Sequence, residues 1–252
     1  MSFQVVIPAR YASSRLPGKV LADVGGHPLV WWTWRNALDS GAEEVWIATE
    51  SDKVRAVCEA FGARVVMTSA EHSSGTERLS EVITRLGWAD GTLVVNVQAD
   101  EPMLPPELIR QVAEGLAADT EAEMATLCEP IASPAALFDP NVVKVVRNAR
   151  GHAITFSRAP IPWNRDVDFH HDRMDPSHLH SYRRHIGLYA YRAGFVQRYV
   201  SWPPCELEQL EKLEQLRALY HEAPILVLDA LCDAGIGVDT AEDLERVRQV
   251  LG

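Results

Sequence analysis

The chain lacks any apolar run near the roughly 18 residues that a bilayer-spanning helix needs, so no membrane partner is expected of its 252 residues. Cysteine is scarce. Cys58, Cys128, Cys205 and Cys232 are widely and irregularly spaced with no CxxC pair, which disfavours a zinc site or a disulfide scaffold and predicts buried free thiols. Positive charge is short too: 24 Lys+Arg against 35 Asp+Glu leave a formal charge of −11. A nucleic-acid surface needs clustered positive charge, so no nucleic-acid partner is expected. No basic n-region or cleavage site precedes the first apolar segment, and a cytoplasmic location is the expectation. No GxGxxG follows that segment, which disfavours a dinucleotide site. Internal repeats, low-complexity tracts and Gly/Ser linkers are missing as well.

What is present reads as an α/β chain. Phe3–Pro8, Glu44–Thr49, Arg64–Thr68 and Thr92–Gln98 are short apolar runs rich in Val and Ile, the pattern of strands covered on both faces. Helical patterns alternate with them over Pro28–Ser40, Asp52–Phe61, Thr76–Leu86 and Pro106–Leu116. Ser74 and Glu77 have the spacing of a capping box. This alternation predicts an open, doubly wound, mostly parallel sheet with helices on both faces and ligands at the carboxyl ends of its strands. After position 127 the pattern changes. Val142–Val146, Ala153–Phe156, His185–Tyr191 and Ile225–Leu228 read as further strands, not necessarily parallel to the first set. Ile161–Ser181 reads as a polar surface excursion. Glu206–His221 reads as one amphipathic helix with Leu207, Leu210, Leu213, Leu216 and Leu219 on its apolar face and Glu214 and Gln215 free to face a cleft. Thr240–Leu251 closes the chain as a helix opened by a Thr240/Asp243 capping box.

Three segments offer chemistry. The loop after the first strand, Ile7–Lys19 (IPARYASSRLPGK), holds Arg10, Arg15 and Lys19 with no acid between them, and suits either an anion site or a solvated basic loop. It is not a P-loop, because position 13 is Ser rather than Gly and Val20 stands where a Ser/Thr would meet the metal. The second segment, Val97–Pro102, ends the most apolar strand with Asp100 and Glu101. Asp100 suits a Mg²⁺ ligand or a cap on the next turn. The third, Gly235–Thr240, carries Asp239 just before a helix, where a dipole partner is the simpler reading. His170, His171, His178, His180 and His185 lie close together, but their irregular spacing disfavours structural zinc. His185 differs in opening a strand and is a pocket candidate. Trp31, Trp32 and Trp34 crowd one helix and are read as core or interface.

Together the segments IPARYASSRLPGK, HSSGTER (72–78), VNVQADEP (95–102), FSRAPIPW (156–163), HIGLYAY (185–191), LEQLR (213–217) and GVDTAEDLER (237–246) resemble the 3-deoxy-manno-octulosonate (Kdo) cytidylyltransferase family, in the family's order and over nearly the whole chain. The resemblance implies a Rossmann-like nucleotide-diphospho-sugar transferase fold in a single domain. Its parts would be a CTP-binding half (about 1–130), a sugar-binding and dimerisation portion (131–234) and a closing metal-ligand turn and helix (235–252). It implies transfer of CMP from CTP to the anomeric hydroxyl of Kdo for lipopolysaccharide assembly, Mg²⁺ as cofactor, and a cytoplasmic homodimer with Phe156–Trp163 at its interface. Ala9, Arg10, Arg15 and Lys19 are implied at the triphosphate, with Lys19 aiding the leaving group. Asp100 and Asp239 are implied as joint magnesium ligands, and Arg78, Gln98, His185, Tyr189, Glu214 and Gln215 as the lining of the sugar pocket. No general base is assigned. Two positions depart from the family pattern: Ala99 replaces Gly, and Glu50 replaces Asp. The competing readings are the same reaction on 8-amino-3,8-dideoxy-manno-octulosonate, CMP-sialate synthesis, and a non-catalytic nucleotide-binding protein.

Overall fold

The apolar runs of the first half become strands, buried on both faces over Gln4–Pro8 and Leu93–Asn96 but partly exposed over Arg64–Met67 at the sheet edge, where no further strand covers it among the described residues. The structure, a computed structural model, describes residues 1–12, 16–72, 74–167, 170 and 174–252. Strands β1 (Gln4–Pro8), β4 (Glu44–Thr49), β5 (Arg64–Met67) and β6 (Leu93–Asn96) are parallel, and a small hairpin of β2 (Asp23–Val24) and β3 (His27–Pro28) stands apart. The sheet continues through β7 (Met124–Pro130), β10 (Arg183–Arg192) and β11 (Ile225–Asp229) in the order β11-β7-β10-β6-β1-β4-β5. β10 alone runs antiparallel within that row. β8 (Lys144–Arg147) and β9 (Ala153–Ser157) extend from it as an antiparallel flap.

Alternation along each strand divides the core into two layers. Val5, Ile7, Val95 and Val97 join one layer with α1 (Leu29–Asp39), α2 (Asp52–Ala60) and α4 (Pro106–Ala118). Val6, Val94 and Ala48 join the other with α3 (Gly75–Leu86), α6 (Ala193–Ser201) and α8 (Gln215–Tyr220). Leu108, Ile109, Val112, Ala113 and Leu116 of α4 are fully buried; truncating such a leucine to alanine costs about 2–5 kcal/mol. Helix α9 (Ala241–Leu251) packs Leu244 and Val247 on Val24, Leu29 and Val238, holding the segment before it against the first half. The Thr240/Asp243 capping box forms as expected, and Ser74 Oγ accepts the Glu77 N–H.

The second half departs from expectation in three places. Glu206–His221 is broken into α7 (Glu206–Glu211) and α8, with Lys212 between them at φ 54° in the left-handed region. Leu213 and Leu216 are buried, but Leu207 and Leu210 are exposed, so the leucine stripe is not one core face. The excursion over 161–181 contains an apolar anchor: Met174 and Leu179 pack with Ile131, Leu137 and Tyr182 in a separate small core beside α5 (Pro134–Phe138). Cys58, Cys128 and Cys205 are buried, whereas Cys232 is exposed, contrary to expectation.

Candidate active site

The parallel strands β1, β4 and β6 end on one side of the sheet, and the chemistry-bearing segments lie there. β6 stops at Asn96; Val97 donates to Val6 O at 3.0 Å, and the chain then turns through Gln98 to Asp100. The loop after β1 folds back so that the Gly18 N–H reaches Tyr11 O at 3.0 Å. Gly18, at φ 73°, then opens a short 3-10 turn over Lys19–Leu21 that buries the Lys19 stem. The Val238 N–H meets Asp100 O at 2.8 Å, pinning the last segment to the β6 turn. Gly237 allows this approach, because a Cβ there would lie 2.8 Å from the Glu101 carboxylate.

Lys19 is the point where the three segments meet. Its Nζ donates to Asp100 Oδ2 at 2.5 Å, to Val238 O at 2.8 Å and to Asp239 Oδ1 at 3.3 Å. Asp100 therefore serves as an ammonium partner rather than a turn cap, and Asp239, expected as a partner of the helix dipole, reaches the same ammonium while Thr240 caps the helix. Beside them Glu101 is pushed up to about 7, by burial first and then by the charges of Asp100 and Asp239. Two hard carboxylates on one exchangeable cation form a donor set suited to a small divalent ion; among the described residues no group of three or more His, Cys, Asp or Glu gathers for a metal.

The rest of the basic loop takes a different course. Arg10 is exposed and donates to His72 O at 2.6 Å, while the His72 ring meets Glu81. Ala9 is buried at the end of β1 and gives its N–H to Ala48 O at 2.8 Å. Arg15 lies outside the described residues. Arg78, expected among the sugar residues, does not line the pocket described below. It is fully buried, donates to Thr68 Oγ1 and ion-pairs with Glu50 Oε2 at 2.9 Å. Glu50 in turn accepts the Tyr11 N–H at 3.0 Å, so the longer side chain at this departing position ties α3 to the basic loop. Ala99, the other departure, is buried, and its carbonyl accepts from Thr33 Oγ1 at 3.2 Å.

Next to this charged end lies a cavity of about 270 Å³. Gln98, His185, Tyr189, Glu214 and Gln215 all line it, brought together from the turn after β6, from β10 and from the start of α8. Thr76, Asn96, Tyr191, Tyr199 and Lys212 line it too and were not anticipated. The break at Lys212 is what turns Glu214 and Gln215 inward. Arg217 secures that break: its guanidinium forks onto Glu208 at 2.7 and 2.6 Å and donates to Trp202 O at 3.1 Å. Glu214 Oε2 accepts from Thr76 Oγ1 at 2.8 Å, and its carbonyl accepts from the Tyr199 hydroxyl at 3.0 Å. Burial raises the Glu214 carboxyl, although the cavity leaves one side of it open to water.

His185 is half-buried, but its ring sits among other groups, and desolvation first, then the charge of Arg184, hold its pKa down at about 3. The ring is neutral at physiological pH. Its Nε2 lies 3.0 Å from Thr126 Oγ1, a hydroxyl also within 2.9 Å of Ile186 O and 2.8 Å of Leu188 O. One hydroxyl hydrogen serves a carbonyl, so the oxygen accepts from His185 Nε2–H and leaves Nδ1 as an acceptor. The cavity thus offers mostly uncharged donors and acceptors with Lys212 and Glu214 in its wall, while the charged end offers cations and carboxylates.

A family model described as Cytidylyltransferase matches residues 4–225. The chain is 59% identical, over 100% of its own length and 96% of the relative's, to 3-deoxy-manno-octulosonate cytidylyltransferase 1 of Hydrogenovibrio crunogenus. It is 56% identical to the 3-deoxy-manno-octulosonate cytidylyltransferase of Pseudomonas fluorescens, over 99% of this chain and 98% of that one. Among solved structures it matches a CMP:2-keto-3-deoxy-manno-octonic acid synthetase complexed with CTP, with a TM-score of 0.90 and 40% identity, covering 99% of this chain and 98% of that one. A 4-diphosphocytidyl-2C-methyl-D-erythritol synthase, 13% identical with a TM-score of 0.65 and covering 100% of this chain and 99% of that one, shares the fold.

Proposed function

The chain belongs to the 3-deoxy-manno-octulosonate cytidylyltransferase family, and from that premise we propose that it activates Kdo with CTP, using the residues gathered at this cleft. The anomeric hydroxyl of Kdo bonds to the α-phosphorus of CTP as the bond to the bridging oxygen breaks. CMP-Kdo forms, and pyrophosphate and a proton leave. The observation that carries the reading is the convergence of Lys19, Asp100 and Asp239, up to 220 positions apart, beside a polar cavity.

At the charged end, Arg10 and Lys19 compensate the triphosphate, and Arg15 is proposed with them on the sequence alone. Lys19 is the cation best placed to meet charge growing on the leaving pyrophosphate. Asp100 and Asp239 would hold Mg²⁺, an ion that commonly takes one or two carboxylates and fills its other positions with water and phosphate oxygens. When bound, the ion supplies Lewis acidity at the α-phosphate and acidifies the attacking hydroxyl. Gln98, His185, Tyr189, Glu214 and Gln215 orient the sugar, and holding it in line is itself a large part of the catalysis. His185 remains neutral and serves orientation; no side chain is assigned as general base. Arg78 is proposed as a support of the basic loop through Glu50. The homodimer is proposed on the family likeness and on large exposed apolar side chains, among them Ile154 and Trp163 on the flap side and Leu207 and Leu210 on α7; light scattering at micromolar concentration tests it.

The direct test is pyrophosphate release from CTP and Mg²⁺, with Kdo, 8-amino-Kdo and sialic acid supplied separately. Release with Kdo above the other two is the expected result. Silence with Kdo from folded protein that still binds CTP would sink the reading.

A further inference from the structure

Asn96 occupies a place that packing does not explain. It ends β6, is 4% exposed and lines the cavity. In the antiparallel ladder it stands opposite Tyr189 of β10, where facing side chains begin about 5 Å apart. Asn96 Oδ1 and the Tyr189 hydroxyl are both enclosed, and neither has a hydrogen-bond partner among the described residues. A buried polar atom without a partner destabilises a fold, and native interiors hold few of them. Two such atoms on facing strands, at the wall of one cavity, are a cost that leucine and phenylalanine at these positions would avoid.

The chemistry of the pair narrows what satisfies it. The amide oxygen only accepts, and the phenol donates or accepts. Burial holds the Tyr189 phenol in its protonated form. Neither group carries charge, so the pair does not call for a phosphate or a carboxylate. A hydroxyl group, donor and acceptor at one atom, matches both partners at once.

Resting on the reading that this cavity receives Kdo, we propose that Asn96 and Tyr189 form a seat for one non-anomeric hydroxyl of the sugar. That hydroxyl donates to Asn96 Oδ1 and accepts from the Tyr189 O–H, which makes Asn96 a specificity-determining residue. A site built to hydrogen-bond a substrate hydroxyl rejects the analogue that lacks it, because its own buried groups are then left unpaired.

The test compares the parent with Asn96→Leu and Tyr189→Phe. It uses Kdo and a set of deoxy analogues, each lacking one non-anomeric hydroxyl, and includes thermal unfolding without ligands. With Kdo, KM should rise roughly 10- to 100-fold in either variant, while KM for CTP stays within about twofold. The unfolding midpoint should hold or rise, since each substitution removes an unsatisfied buried group; a structural asparagine or tyrosine would lower it. One deoxy analogue should bind parent and variants alike, and it identifies the seated hydroxyl. An unchanged Kdo KM, a parallel rise in both KM values, or an equal penalty with every analogue would overturn the inference. Should Asn96→Leu unfold through crowding, Tyr189→Phe removes a single oxygen and decides the question with the same analogues. A parent that releases no pyrophosphate with Kdo would instead overturn the proposed function, so the two failures are distinguishable.

Discussion

The two ends of the cleft present their polar groups differently, the one as opposed charges and the other as uncharged dipoles. At the charged end each charge faces an opposite charge or a carbonyl: Lys19 faces Asp100 and Asp239, Arg10 the His72 carbonyl, and Arg78 Glu50, although Arg78 Nε makes no hydrogen bond among the described residues. At the sugar end groups are left unpaired, with Asn96 Oδ1 and the Tyr189 hydroxyl enclosed and without partners. The difference follows from the size of the penalty. An unpaired buried charge is far more costly than an unpaired buried dipole. Charged recognition groups therefore need internal partners that substrates displace, whereas neutral ones can be held ready.

The largest effect that tests this contrast comes from the charged end. Asp100→Asn and Asp239→Asn should each lower kcat by about 100-fold or more, measured as pyrophosphate release at saturating substrates, with the unfolding midpoint nearly unchanged because Lys19 keeps the other carboxylate. A near-parent rate in both variants would remove these residues from the charged end's chemistry. An intermediate effect is expected from Arg217→Lys, which keeps the charge but loses the fork onto Glu208. It should cost about 1–3 kcal/mol in urea unfolding and raise KM for Kdo more than KM for CTP, because the fork holds the turn that carries Glu214. Equal changes in both constants would make the sugar end no more dependent on its frame than the charged end.

The smallest effect concerns pH. His185 titrates near 3 in the folded chain against about 6.5 unfolded. Between those values the unfolded chain binds the extra proton, so this contribution is complete above pH 6.5 and declines as pH falls toward 3. Between pH 6.5 and 5 the loss is about 1–2 kcal/mol, read as the difference in urea stability between parent and His185→Gln. A parent and variant with parallel pH profiles would mean the ring is not held neutral.

Much of this arrangement was legible in the chain. The doubly covered strands announced themselves through unbroken Val and Ile, and the capping pattern at Thr240 fixed the last helix. The break inside Glu206–His221 was not legible, because its leucine spacing continues smoothly through Lys212. The break is tied down by tertiary contacts, Arg217 on Glu208 and Tyr199 on the Glu214 carbonyl, that no local pattern reports. For the site, Gln98, His185, Tyr189, Glu214 and Gln215 were found through family motifs, and the structure brings all five to one cavity. The same family motifs imply Arg78 there, but it is fully buried against Glu50 and does not line the cavity. Asn96 was passed over because it sits inside an apolar run and reads as one more strand position. The signal was nevertheless available, since an amide in the middle of Val-Val-Asn-Val is an unusual residue to bury.

The ammonium of Lys19, already seated on Asp100 and Asp239, occupies the place between the two carboxylates. Any divalent ion entering between those carboxylates competes with a tethered cation that is always present. A triphosphate changes the competition by giving the ammonium another anion to approach. With the proposed ion at these carboxylates, nucleotide and ion would be coupled through one side chain, each strengthening the other's binding by the same factor.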